Sequence, residues 1–324
     1  MLALWFDGNL GLKEMPRPEL RAGEVLAQVR LAGICRTDLE VLKGYHGFQG
    51  VLGHEFVGLV AAPADSPWHG RRVVGEINVG CGQCDLCRRG LGRHCHERRV
   101  LGLKGRHGTF AQYLSLPEAN LHEVPAGVPD DAAVFTEPLA AALAVFLDAP
   151  AAGTGRVLVI GDGCLGLLIC WALALRGAEV HLVGHHPEHL ALARPYGVTT
   201  FLGKEFLGRD YETVVEASGS PGGLDLALER VRPRGTVVLK STYVGHYGLD
   251  PAALVVPEVR LVGSRCGPFP PALRLMARGW IDPRPLIAHR LPLSQGLEAI
   301  TRALQPGTLK VLLDMKEEVS GNAG

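Results

Sequence analysis

The chain has 324 residues, enough for about two domains, and 47% of them are hydrophobic, enough for a large core. Its 33 acidic and 33 basic side chains cancel, so no overall charge draws it to nucleic acid or to an anionic membrane. The start, Met1-Leu-Ala-Leu-Trp-Phe-Asp-Gly, lacks a signal-peptide pattern, and no apolar run reaches spanning length without glycine or a charge, so a soluble, cytoplasmic protein is expected.

Residues 1 to about 125 read as β-rich. Val25–Ala32, Gly58–Ala62 and Arg72–Glu76 have strand character and are separated by short turns rich in Gly and Pro. Residues 137–149 are apolar and Ala-rich and predict a helix. From Arg156 onward strands and helices alternate. Tyr211–Ser218 predicts a strand, Leu224–Val231 a helix, Thr236–Lys240 a strand, and Val255–Gly263 another strand with Pro257 near its start. Pro271–Arg278 and Leu293–Leu304 read as helices, Leu309–Asp314 as a last strand, and the polar tail Glu317–Gly324 as frayed.

The stretch Arg156-Val-Leu-Val-Ile160 is an apolar run that suits a strand buried on both faces. Gly161-Asp-Gly163-Cys164-Leu165-Gly166 follows as G-x-G-x-x-G, then the apolar helix Leu167–Leu175, a stop at Gly177 and a second strand at Glu179–Val183. Strand, glycine turn, helix and second strand in phase point to a dinucleotide site. Gly161 serves the tight turn, Gly163 the approach of a pyrophosphate, and Gly166 the packing of helix on strand.

Eight cysteines without a secretion signal suggest metal ligands or small buried groups rather than disulfides. Cys81, Cys84, Cys87 and Cys95, at intervals of three, three and eight, match the donor set of one closed, structural tetrahedral zinc ion. The nearby Arg88, Arg89, Arg93, Arg98 and Arg99 raise a rival, a zinc module gripping nucleic acid, but no aromatic is interleaved for base stacking. A second set is more dispersed: Cys35 in Gly33-Ile-Cys-Arg-Thr-Asp38, and His54 with Glu55 between Gly53 and Gly58. Thiolate, imidazole and carboxylate suit a catalytic zinc shell with one open position. On spacing alone, separate core residues account for them equally well.

Taken together, G-I-C-R-T-D, G-H-E-F-V-G, C-x2-C-x2-C-x7-C and G-D-G-C-L-G, in that order along nearly the whole chain, resemble the zinc-dependent medium-chain alcohol and polyol dehydrogenases. The resemblance implies an α/β protein. A GroES-like β-rich catalytic domain (1–136 and 267–324, with a zinc lobe near 81–95) would accompany a Rossmann doubly wound parallel-sheet coenzyme domain (137–266). It implies Cys35 and His54 as zinc ligands, Glu55 as a carboxylate that joins or leaves the metal, and Glu137, in Thr136-Glu-Pro-Leu-Ala140, as a further metal-site carboxylate like that of the sorbitol-dehydrogenase-like branch. By the same resemblance Thr37 passes on the alcohol proton and Asp38 orients His54. Glu40 stands where many relatives end the relay with histidine. Arg36 and Lys310 would touch the coenzyme pyrophosphate.

The implied reaction is reversible hydride transfer between a small-molecule alcohol or polyol and NAD(P), with catalytic and structural Zn²⁺, in a homodimer or homotetramer free of nucleic acid and membrane. A zinc-free enone or quinone reductase of the same fold is one alternative, and a non-enzymatic regulatory binder using the cysteine lobe is the other. Coenzyme choice rests on the end of the second strand, where NAD sites place Asp or Glu. Here Gly184 takes that place, followed by His185, His186 and Pro187. Glycine leaves room for a 2′-phosphate and the histidines offer it donors, a modest expectation of NADP(H) over NAD(H).

Overall fold

The computed structural model describes residues 1–44, 47–242 and 246–315. The tail Glu317–Gly324, expected to fray, lies outside the described residues. The chain divides into two compact units, Met1–Glu137 with Leu286–Gly324, and Pro138–Pro285.

The first unit is built on a seven-stranded sheet. Its order is Leu121–Glu123, Arg72–Gly75, Glu55–Ala62, Glu24–Ile34, Lys310–Asp314 and Ile287–Pro292, and Tyr113–Pro117 also pairs with Glu24–Ile34. The central strand is 11 residues long and buried along almost all of it, so both its faces pack into the core. Register sets Gly33 opposite Glu55 and Ile34 opposite Val311. Strands distant in sequence are thereby brought to one sheet end, where the metal-type residues lie. A small separate sheet, Asn78–Val79, Arg99–Leu101 and Gly105–Arg106, carries the four-cysteine lobe.

The second unit is a six-stranded parallel sheet in the order Thr199–Leu202, Glu179–Gly184, Arg156–Ile160, Tyr211–Glu216, Val231–Leu239 and Arg260–Gly263. Val157, Leu158, Val159 and Ile160 are buried, as an apolar run without alternation requires. The helix Cys164–Leu175 buries Gly166 to Leu173. The order reverses at Arg156–Ile160, whose two neighbours are reached by connections in opposite directions. A doubly wound sheet places its ligand crevice at the carboxyl ends of the strands at such a switch point.

Three sequence expectations change. Residues 267–285, assigned to the first domain, belong to the second unit. Their helix Phe269–Ala277 buries Phe269, Ala272, Leu273 and Met276, and Gly267 lies so close to the carbonyl of Ala140 that no side chain fits. The helix expected over 137–149 is two helices, Thr136–Leu143 and Val145–Asp148, although Ala144 N–H still donates to Ala140 O at 3.1 Å. The strand expected over Val255–Gly263 begins only at Arg260, after the helix Ala252–Val255. Pro257 has no N–H to donate, and Glu258 turns the chain with a φ of 54°. Among the described residues no helix is long and apolar enough to cross a membrane.

Candidate active site and coenzyme site

The metal-type residues of the first unit converge because Cys35 ends the strand Glu24–Ile34 and caps the short helix Arg36–Leu42, while His54 and Glu55 open the neighbouring strand. Ligand atoms of Cys35, His54 and Glu55 lie within 4.8 Å of one another. Asp38 organises them. Its Oδ2 accepts the Cys35 backbone N–H at 2.8 Å, and its Oδ1 lies 3.0 Å from His54 Nδ1. A carboxylate there only accepts, so Nδ1 carries the proton and Nε2 keeps its lone pair for a metal. Asp38 is fully buried and His54 nearly so. Burial works against the imidazolium, but the charges of Asp38 and the Cys35 thiolate outweigh it and raise His54 well above its ordinary range. The donor set suits zinc, which must displace the imidazolium's second proton, the one on Nε2. Thr37 Oγ1 sits 3.7 Å from Cys35 Sγ, beside the cluster.

Glu55 is held from the other side. Lys310 Nζ lies 2.8 Å and 2.6 Å from its two carboxylate oxygens and donates to Ile34 O at 3.2 Å, and both side chains are buried. Lys310, expected at a pyrophosphate, is here engaged by Glu55. Strand register sets it beside Glu55, and a buried cation takes the buried anion within reach. Lys310→Met should therefore destabilise the chain by about 3–5 kcal/mol by stranding the Glu55 charge. Glu55→Gln/Lys310→Met should recover much of the loss in denaturant titrations; a double variant as unstable as the single one rules out the pairing as the cause.

Glu40 is buried and pairs with Lys43 at 2.8 Å and with Arg36 Nε at 3.5 Å, so Arg36, expected at the coenzyme, lies exposed along the same helix. Glu137 is half-buried in the first turn of Thr136–Leu143 and is not part of the Cys35, His54, Glu55 cluster.

Cys81, Cys84, Cys87 and Cys95 also converge within 4.8 Å. Cys81 and Cys87 sulfurs are 4.0 Å apart, and those of Cys84 and Cys95 are 3.8 Å apart. A tetrahedron with Zn–S bonds of about 2.3 Å has edges of about 3.8 Å, so the four sulfurs already have the spacing of one closed zinc shell. Backbone N–H groups of Gln83 and Cys84 draw the Cys81 thiol down to about 7, whereas burial pushes Cys87 up to about 11. The lobe's arginines largely serve the lobe itself: Arg88 donates to Gln83 O, Arg98 to Cys95 O, and Arg89 pairs with Asp85.

In the second unit Gly161 has a φ of 111°, and a side chain there would collide with Ala217 O. Gly166 lies too close to the Gly161 carbonyl to carry one. Gly163 instead faces open space at the start of the 12-residue helix that begins with Cys164 and Leu165. The turn is thus bare where a pyrophosphate approaches the helix N-terminus, and the residues fit a dinucleotide. Two residues were missed in sequence. Lys240, after Val231–Leu239, is buried and donates to Ala141 O, Ser264 Oγ and Arg265 O. Asp162, only a variable place in the glycine motif, is buried with its carboxylate against His185 and His186.

Residues 21–126 match the alcohol dehydrogenase GroES-like domain. The chain is 31% identical over 328 residues to the D-altritol 5-dehydrogenase of Agrobacterium fabrum, covering 94% of this chain and 96% of that protein. Its fold resembles the Escherichia coli CFT073 short chain alcohol dehydrogenase complexed with NADH (TM-score 0.87, 27% identity, 97% and 99% of the two chains). It also resembles a zinc-binding dehydrogenase from Sinorhizobium meliloti bound to NADP (TM-score 0.85, 27% identity, 97% and 98%). A GroES-like sheet with a metal-type cluster and a doubly wound coenzyme sheet thus define the class, and the chain belongs to the zinc-dependent medium-chain alcohol and polyol dehydrogenases. It is an NAD(P)-dependent oxidoreductase that interconverts an alcohol or polyol and the corresponding carbonyl compound.

Proposed function

We propose that the chain oxidises a polyol at one secondary hydroxyl, reversibly, with Cys35 and His54 holding a catalytic zinc ion and Cys81, Cys84, Cys87 and Cys95 a structural one. The observation that carries the reading is Asp38, which binds the Cys35 backbone and the His54 ring at once and aims both ligand atoms at one point beside Thr37. The polyol class is drawn from the D-altritol relative.

Bound at these residues, zinc would supply the Lewis acidity that lowers the pKa of the alcohol hydroxyl, and a nicotinamide coenzyme would supply the hydride acceptor. The chain's own residues do the rest. Thr37 Oγ1 accepts the hydroxyl proton while handing its own proton onward. Glu40, one helical turn on and tied to Lys43 and Arg36, ends the relay toward solvent in place of a histidine. Asp38 keeps His54 in the tautomer that ligates. Glu55, neutralised by Lys310, stands beside the ligands as the carboxylate that joins or leaves the metal. Glu137, outside the cluster and on the first turn of Thr136–Leu143, would serve as a further carboxylate toward the metal site. Gly161, Gly163, Cys164, Leu165 and Gly166 receive the coenzyme pyrophosphate. An assembly of two or four copies completes the reading.

A panel of polyols, simple alcohols and enones, read by coenzyme absorbance, tests it. Turnover of polyols that vanishes in Cys35→Ser is expected, and enone reduction that survives in Cys35→Ser would sink it. Asp38→Asn should weaken metal retention at Cys35 and His54 about tenfold to hundredfold while the cysteine lobe keeps its ion. Stepwise chelation followed by metal analysis separates the two; equal loss from both places speaks against Asp38 as the organiser.

A further inference from the structure

We propose that Asp162, on the glycine-rich turn, is the carboxylate that reads the adenosine ribose and makes this chain selective for NAD(H) over NADP(H). The inference rests on the dehydrogenase reading above and reverses the lean toward NADP(H) that Gly184 and its two histidines suggest in sequence.

The strand Glu179–Gly184 ends where NAD sites carry an acid for the ribose 2′-OH, yet it ends in glycine. The fold shows why. A side chain at 184 would start inside Asp162, meeting its Cβ and lying 2.5 Å from Oδ2. Asp162 fills the space that the Cβ of a strand-end acid would need. The carboxylate on the turn after the first strand thus lies against the end of the second and takes over the reading of the ribose.

Its contacts define what it excludes. Oδ2 accepts the backbone N–H of His185 at 2.8 Å and of His186 at 2.7 Å, and it lies 3.2 Å from His186 Nδ1. Two successive amides converging on one oxygen form a nest for an anion. Here the chain fills that nest itself, so the donors a 2′-phosphate needs are taken. Burial opposes ionisation, but the N–H groups of His186 and His185 outweigh it and keep Asp162 below the usual carboxylate range. A 2′-phosphate would therefore meet a fixed negative charge. These three contacts all fall on Oδ2, and Oδ1 is the oxygen that would accept from a ribose hydroxyl.

The histidines do not rescue the phosphate. His186 is turned onto Asp162, and His185 packs against Gly203. His189 Nδ1 lies 4.0 Å from Asp162 Oδ2, so Asp162, His186 and His189 also have the spacing of a metal set. The two amide hydrogens aimed at that same oxygen mark the place for an anion instead.

Calorimetric titration of the zinc-loaded protein with NAD⁺ and NADP⁺ tests the proposal. The wild-type chain should bind NAD⁺ at least tenfold more tightly, since a hydrogen bond to a charged group is worth roughly tenfold to a hundredfold. Asp162→Ala should weaken NAD⁺ and close the gap to NADP⁺. Asp162→Gly/Gly184→Asp, which removes the obstructing Cβ and puts the acid at the strand end, should restore the preference for NAD⁺. Equal wild-type affinities, or an Asp162→Ala variant with an unchanged ratio, would overturn it; the wild-type ratio alone decides should the variants not fold. If neither coenzyme binds the wild-type chain, the dehydrogenase reading fails, and this inference with it.

Discussion

Protein purified without chelator is expected to carry two zinc ions per chain, and Cys35→Ser to carry one and turn over at least about a thousandfold more slowly. The physical basis is the separation of two donor sets with different chemistry. Cys81, Cys84, Cys87 and Cys95 form a closed set of four sulfurs, while Cys35 and His54 with Glu55 leave room for a substrate oxygen. Loss of the Cys35 sulfur removes one of the two strongest ligands and leaves Asp38 holding a lone imidazole. The expected loss follows from the several kcal/mol that a Lewis acid contributes to a developing alkoxide, at about 1.4 kcal/mol for each tenfold in rate. Elemental analysis beside steady-state kinetics checks both halves. A wild-type content of one zinc, unchanged in Cys35→Ser, would mean that the catalytic set does not hold metal.

Cys87→Ala should lower Tm by roughly 10 °C while kcat of the surviving protein stays within about threefold of wild type. The lobe around residues 77–101 has little to hold it but its cysteines. Its buried apolar side chains are few (Ile77, Val79, Val100 and Leu101, with Cys95 fully buried), and its strands Asn78–Val79 and Gly105–Arg106 are two residues long. So small a core does not offset the entropy of ordering the loop, and a metal shell is what does in such modules. Removing one sulfur from a set spaced at 3.8–4.0 Å opens that shell. Since the closed set offers substrate no position, the chemical step should be nearly untouched. Calorimetry and single-turnover kinetics on the same preparation check the prediction. A variant that keeps its Tm but loses turnover would assign the lobe to catalysis.

The class of fold was legible in the sequence because each of its marks is local. The run Val157–Ile160, the glycines 161, 163 and 166, and the cysteine spacing each report what the backbone needs within one turn or one knuckle. The structure bears out those needs: the positive φ of Gly161, the crowding at Gly166, the open face of Gly163 and the four sulfurs within 4.8 Å. That Cys35-Arg-Thr-Asp38 is one capped helix start emerged only in the structure. Polar partners chosen across strands were not readable. Lys310 and Glu55 are 255 residues apart and meet only because Lys310–Asp314 adds beside Glu24–Ile34, which itself pairs with Glu55–Ala62. Lys310 therefore neutralises a buried carboxylate, a role that composition and spacing do not distinguish from a surface charge. Asp162 was a spacer in a motif until the parallel pairing of Arg156–Ile160 with Glu179–Gly184 set it against Gly184 and the amides of His185 and His186. A motif records the conformation its own residues must adopt, whereas the fate of a buried charge depends on which distant strand the sheet places next to it. Sequence by itself determined the class of fold and the spacing of the two cysteine-containing sets; the tertiary structure decided which carboxylate lies beside Cys35 and His54 and which lies against the end of the strand Glu179–Gly184.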